Sequence, residues 1–196
     1  MFKLCMKKQK GFTLIEIMIV LVVLGLLIAV ALPKVSQVLF TGKVNATKTS
    51  LSSLSKAVKN FNADTSVWPA NISDLMSPIA GGNACYNTKT LAASTYSAAQ
   101  VKNWKGPYMD GTTNEISVDA WGAKVSIGVV DATFKYTGKD VTGAAVEVAD
   151  CKTSDSFKEL GEVIGFYLHS PGEDTMTGAS ASAKDDIFIF VSGKIQ

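Results

Sequence analysis

The chain has 196 residues, with 19 basic against 17 acidic side chains and a formal charge of +2. Every basic residue is a lysine; removing Lys3, Lys7, Lys8 and Lys10 from the 19 leaves 15 against 17 acids, a net charge of −2 for a chain that starts at Phe12. An arginine-free, slightly acidic body lacks the electrostatic footprint of a nucleic-acid binder, so that class is excluded.

The first predicted element is an apolar stretch from Phe12 to Leu32, 21 residues long, or about 32 Å as a helix, which matches a bilayer core. Two readings follow from composition alone. One is a cleavable secretory signal, with a basic start and Ala29-Val30-Ala31 as a small-x-small cleavage site. The other is a plain membrane anchor whose lysine-rich end stays in the cytoplasm. Neither has a use for Glu16. A carboxylate inside such a segment costs about 2.5–3.5 kcal/mol at a helix centre. Near the interface it can instead snorkel to water.

A third reading rests on resemblance. Gly11-Phe12-Thr13-Leu14-Ile15-Glu16, behind a short lysine-rich leader and ahead of an apolar stretch closed by Pro33, resembles the class III prepilin signal of type IV pilins and type II secretion pseudopilins. The resemblance implies cutting after Gly11 by a prepilin peptidase, N-methylation of Phe12, and a Glu16 carboxylate facing the Phe12 ammonium of a neighbouring subunit. It divides the chain into a leader (1–11), an N-terminal helix (12–64, of which 12–33 crosses the membrane or forms a filament core) and a head (65–196). Gly25 and Pro33 are the expected interruptions of that helix, since proline removes a donor and clashes with the preceding turn.

Beyond Pro33, Phe40, Val44, Thr47, Leu51, Leu54, Val58 and Phe61 recur at steps of three and four. The spacing predicts an amphipathic helix half-embedded in the head, stopping near Asn62-Ala63-Asp64-Thr65. A short capped helix is expected at Asn71-Ile72-Ser73-Asp74-Leu75, with Asn71 or Ser73 as the cap. Residues 79–103, rich in small and polar side chains, read as a surface excursion with a short helix near Ala98–Asn103. Val125, Ile127 and Val129, then Phe134-Lys135-Tyr136, Val146 and Val148, Val163–Leu168 and Ile187–Val191 read as strands. A long helix on an antiparallel sheet is an α+β arrangement, and the resemblance makes it a pilin-like fold.

The three cysteines are Cys5, Cys85 and Cys151. Loss of the leader would remove Cys5 and leave an even pair, for which a Cys85–Cys151 disulfide across the excursion is the expectation in an oxidising compartment. The alternative is two buried thiols acting as small hydrophobes.

Three head motifs in order, Trp68-Pro69, Trp104-Lys105-Gly106-Pro107-Tyr108 and Asp119-Ala120-Trp121-Gly122, resemble those of major pseudopilins, with Ala120 where a proline is usual. Ser170-Pro171-Gly172-Glu173-Asp174, followed after ten residues by Asp185-Asp186-Ile187, is similar to the calcium loop of that group. Calcium takes oxygen ligands, and the resemblance implies a set drawn from Ser170, Asp174, Asp185 and Asp186. The loop is longer than expected, and Thr175 replaces a glycine. Residues 79–103 and 131–155 are insertions that resemble the heads of surface pilins.

An enzyme is not expected: His169 is the only histidine, and no nucleophile has a base near it in sequence. The resemblance implies a structural subunit that forms a helical homopolymer, a major-type pseudopilin of type II protein secretion that drives exoprotein export, with minor pseudopilins or pilins and an inner-membrane assembly platform as further partners. It would sit in the inner membrane before assembly and in a periplasmic or surface filament after it. A surface pilin serving adhesion, twitching or DNA uptake, and a tethered periplasmic binding domain that never polymerises, are the alternatives.

Overall fold

The computed structural model describes residues 11–174 and 184–193. The chain divides into two compact units, Met1–Gly42 and Lys43–Gln196. Helix α1, Leu14–Thr65, contributes to both. In the first unit every described side chain from Gly11 to Leu32 is exposed, and Ser36 and Thr41 turn their hydroxyls back to the carbonyls of Leu32 and Gln37 at 3.3 and 2.9 Å. The expected interruption at Gly25 and Pro33 is absent: both lie within the continuous helix. A proline removes only one rung of the hydrogen-bond ladder, and the turns on either side keep theirs.

In the second unit the predicted stripe is buried from Thr47 onward and Val44 is half-buried, while Phe40, in the first unit, is exposed. Thr47, Leu51, Leu54, Val58 and Phe61 are each no more than 1% exposed. The helix ends where Ser66 adopts a left-handed conformation (φ 61°) and its amide bonds the Asn62 carbonyl at 2.7 Å. Asn71 caps the short helix Ile72–Leu75, accepting from the Ser73 amide, and Asp74 reaches back to the Asn71 amide as a capping box.

Strands β1 (Val67–Pro69), β2 (Ala84–Asn87) and β3 (Ala93–Thr95) form a three-stranded antiparallel sheet in that order. Residues 79–103 are therefore not only a surface excursion: Cys85 and Tyr96 lie in the core. Helix α2 occupies Ala98–Asn103 as expected, and α3 is a single turn, Thr113–Ile116.

The main sheet is antiparallel and five-stranded, built from β4 (Ser126–Val130), β5 (Tyr136–Asp140), β6 (Ala145–Val148), β7 (Gly165–Ser170) and β8 (Ile187–Gly193) in the order β6-β5-β4-β7-β8. Strand β5 starts at Tyr136 rather than Phe134. The Asp131 carboxylate gathers the Thr133 amide and hydroxyl and the Lys135 amide into a turn, as Asp140 does for Thr142 and Ala144 at the other end.

Both faces of this sheet are covered. Ile127, Phe166, Leu168 and Ile187 pack with Leu51, Leu54, Val58 and Phe61 of α1 in one core. On the opposite face Val130, Tyr136, Val146, Val148, Tyr167 and Phe188 pack with Cys151 and Phe157 in a second. Phe157 comes from helix α4, Asp155–Glu159, within a connection that follows the 3-10 turn Cys151–Thr153.

The expected disulfide is not seen. Cys85 and Cys151 are free and buried, one in each core, with the five-stranded sheet between the two. Counting cysteines gives their parity, not the face each occupies. Burial pushes the Cys151 thiol up to about 12 and raises Cys85 as well, so both behave as inert small hydrophobes.

Candidate functional site

Two places carry the chemistry. The first is the start of α1. Residues 11–13 precede the helix, so the Gly11–Phe12 peptide bond lies in exposed, non-helical chain. Thr13 offers the first helical carbonyl, taken by the Glu16 amide at 3.1 Å. Glu16 thus occupies the first turn and is exposed. There its charge favours the helix dipole by about 0.3–1 kcal/mol, far less than the desolvation it meets in a bilayer. The helix that follows is long and apolar enough to cross a membrane.

The second is the end of β7 and the return into β8. Gly172 holds φ +74°, and a Cβ there would lie 2.4 Å from the Asp185 carbonyl, so only glycine lets the two limbs approach. The Asp174 amide donates to Asp185 Oδ2 at 3.0 Å. Asp174, Asp185 and Asp186 each present an oxygen within 4.8 Å of the others. Asp186 is 3% exposed, and its Oδ1 is buried without a hydrogen-bond partner. Burial raises the Asp186 carboxyl above the usual range, with His169 pulling the other way and Asp185 and Asp174 adding to the rise. A buried, partly unsatisfied carboxylate beside two others is a site that a cation would relieve. Residues 175–183, including Thr175, lie outside the described residues.

Ser170 bonds to a carboxylate of another motif. Its hydroxyl donates to Asp119 Oδ2 at 2.7 Å, while Asp119 Oδ1 accepts from the amides of Trp121 and Ala123. Two motifs separate in sequence thus meet at one carboxylate. The departure at Ala120 has a physical reason: its amide donates to Thr47 Oγ1 on α1 at 3.1 Å, a bond that proline could not make. The Trp104–Tyr108 motif likewise ties elements together, with Trp104 Nε1 on the Asp74 carbonyl and the Tyr108 hydroxyl on Asp64.

Sequence reading missed a buried polar chain. Asp186 Oδ2 lies 2.9 Å from His169 Nε2, His169 Nδ1 lies 3.1 Å from Ser126 Oγ, and Ser126 Oγ lies 2.9 Å from the Tyr136 hydroxyl. The residue types are those of a hydrolytic triad. All four side chains are at most 3% exposed, so no substrate reaches the serine, and the chain braces the sheet. The register Ser126↔His169 that creates it is long-range and leaves no local signal.

Residues 6–32 match the family described as the prokaryotic N-terminal methylation motif. The chain is 30% identical over 116 residues to type II secretion system core protein G of Pseudomonas aeruginosa, covering 59% of this chain and 70% of that protein. It is 30% identical over 151 residues to fimbrial protein EcpC of Eikenella corrodens, covering 76% and 79%. It is 32% identical over 151 residues to type IV major pilin protein PilE1 of Neisseria gonorrhoeae, covering 75% and 68%. No solved structure matches.

Proposed function

The chain belongs to the superfamily of type IV pilins and type II secretion pseudopilins, and within it we propose that the protein is a major-type pseudopilin, polymerising in the periplasm to drive protein export. It is a structural subunit and not an enzyme, anchored through its N-terminal apolar helix. One observation carries the polymerisation reading: a single carboxylate, Glu16, in the first turn of an exposed apolar helix, five residues beyond Gly11. Cutting after Gly11 frees the Phe12 ammonium, the one positive charge whose place in the motif suits that carboxylate on the next subunit. Prepilin peptidase, an inner-membrane assembly platform and minor pseudopilins are the partners this reading requires.

The three ordered head motifs and the relatives named core protein G, in Pseudomonas aeruginosa and Xanthomonas campestris, favour the pseudopilin. The fimbrial relatives, matched over a longer stretch, favour a surface pilin as the second reading. Deleting the gene separates them. The expected result is exoproteins retained in the periplasm with surface fibres unchanged. Lost fibres with normal secretion select the pilin, and no change in either overturns both.

We also propose that Asp174, Asp185 and Asp186 hold calcium. The residues fit: three carboxylates converge, one of them buried with an unpartnered oxygen. The ion would supply positive charge and oxygen coordination that tie the two limbs of a long loop. Calcium at a hundredfold excess over its dissociation constant contributes about 2.7 kcal/mol. Chelation should therefore lower the melting temperature of the full chain in detergent by about 5–10 °C; an unchanged midpoint removes the site.

A further inference from the structure

The limb that carries Asp185 and Asp186 is gripped from outside the loop. Ser154 Oγ and Ser156 Oγ each donate to the Asp186 carbonyl at 2.8 Å. Each hydroxyl also accepts a backbone amide: Ser154 from Phe157 at 3.2 Å, as the cap of α4, and Ser156 from Phe188 at 2.8 Å. The Asp155 amide adds a bond to the Lys184 carbonyl at 3.4 Å. Strand β8 is an edge of the five-stranded sheet, and on its outer side Ser156 serves the Asp186 carbonyl and the Phe188 amide as a neighbouring strand would. Inside the sheet, His169 holds the Asp186 side chain by Oδ2. With the main chain fixed from one side and Oδ2 from the other, Oδ1 is left buried and unpartnered beside Asp174 and Asp185.

We propose that Ser154 and Ser156 are positioning residues for the carboxylate cluster, and that α4 and the cation it would hold are coupled through the Asp186 main chain. This rests on the calcium reading above. Coupling is reciprocal: a cation on Asp186 fixes the carbonyl that the two serines grip, and loss of the grip loosens the ligand. The connection that carries α4 also supplies Cys151 and Phe157 to the second core, so loading the cluster tightens that core.

The test compares the full chain in detergent with Ser156→Ala and Ser156→Thr, titrated with calcium chloride by calorimetry and followed by amide hydrogen exchange over residues 155–160. Ser156 is the cleaner target, because Ser154 also caps α4. The wild type should bind calcium and slow exchange over α4 at least tenfold on binding. Ser156→Ala should bind about tenfold more weakly and lose that slowing, and Ser156→Thr, which keeps the hydroxyl, should recover both. Near-UV circular dichroism reports whether each variant keeps its packed cores. Wild-type binding with unchanged affinity and unchanged slowing in Ser156→Ala overturns the coupling and leaves the calcium reading standing. No heat with the wild type overturns the calcium reading and the coupling with it.

Discussion

Glu16→Ala should insert in the membrane at least as well as the wild type and yet fail to assemble. Removing a carboxylate from the apolar segment relieves insertion of about 2.5–3.5 kcal/mol at most. In the proposed polymer the same change would strand the Phe12 ammonium at every subunit contact, at about 3–5 kcal/mol each. At about 1.4 kcal/mol per tenfold, that raises the concentration needed for growth by two to three and a half orders of magnitude. Magnitude separates this role from a simpler one. If Glu16 only complemented the dipole of α1, its loss would cost about 0.3–1 kcal/mol and filaments would persist. The measurement is the ratio of sheared filament to membrane-held subunit. A ratio below one hundredth of wild type supports the pairing, and an undiminished one shows that filaments grow without it and removes that role for Glu16.

Gly128→Ala should cost the head about 3 kcal/mol or more, because overpacking cannot relax when the obstacle is backbone. In the β4–β5 pair Gly128 lies opposite Gly138. A Cβ on Gly128 would stand 2.3 Å from the Thr137 carbonyl and 2.4 Å from Gly138 Cα. A Cβ on Gly138 would meet the Tyr136 hydroxyl at 2.4 Å. This trough lets the fully buried Tyr136 ring run along the sheet and place its hydroxyl on Ser126. Since a domain holds only about 5–15 kcal/mol in total, the variant should melt at least 6 °C lower. Gly42→Ala is the contrast: a Cβ added to this helical glycine would meet no atom within 4 Å, so the change should be neutral or gain up to about 1 kcal/mol. Equal melting points for Gly128→Ala and the wild type would contradict the trough.

Elements with their own periodicity were legible in the sequence. The stripe from Thr47 to Phe61 reads at 3.6 residues per turn because one face meets the core, and Ile187–Val191 reads as strand because its β-branched and aromatic side chains cluster. Caps were legible where a short side chain meets its own backbone, as at Asn71. The small sheet was not. Its strands are three or four residues long, and β3 is exposed at every position, so no alternation distinguishes Ala93-Ser94-Thr95 from loop. The site divides the same way. Gly11, Phe12 and Glu16 form a contiguous motif, and Asp174, Asp185 and Asp186 lie at the two ends of one loop. What holds the second group, His169 from β7 and Ser156 from α4, arrives by sheet register and by a connection 30 residues distant. The cysteine pair failed for that reason too: sequence separation carries no information about which side of a sheet each thiol faces.

The mass of the mature amino terminus tests the central claim most directly. A filament subunit of this kind should begin at an N-methylated Phe12, free of the leader with its four lysines. A chain beginning at Leu32, after the small residues Ala29-Val30-Ala31, would make the segment a secretory signal and remove Glu16 from the mature protein altogether.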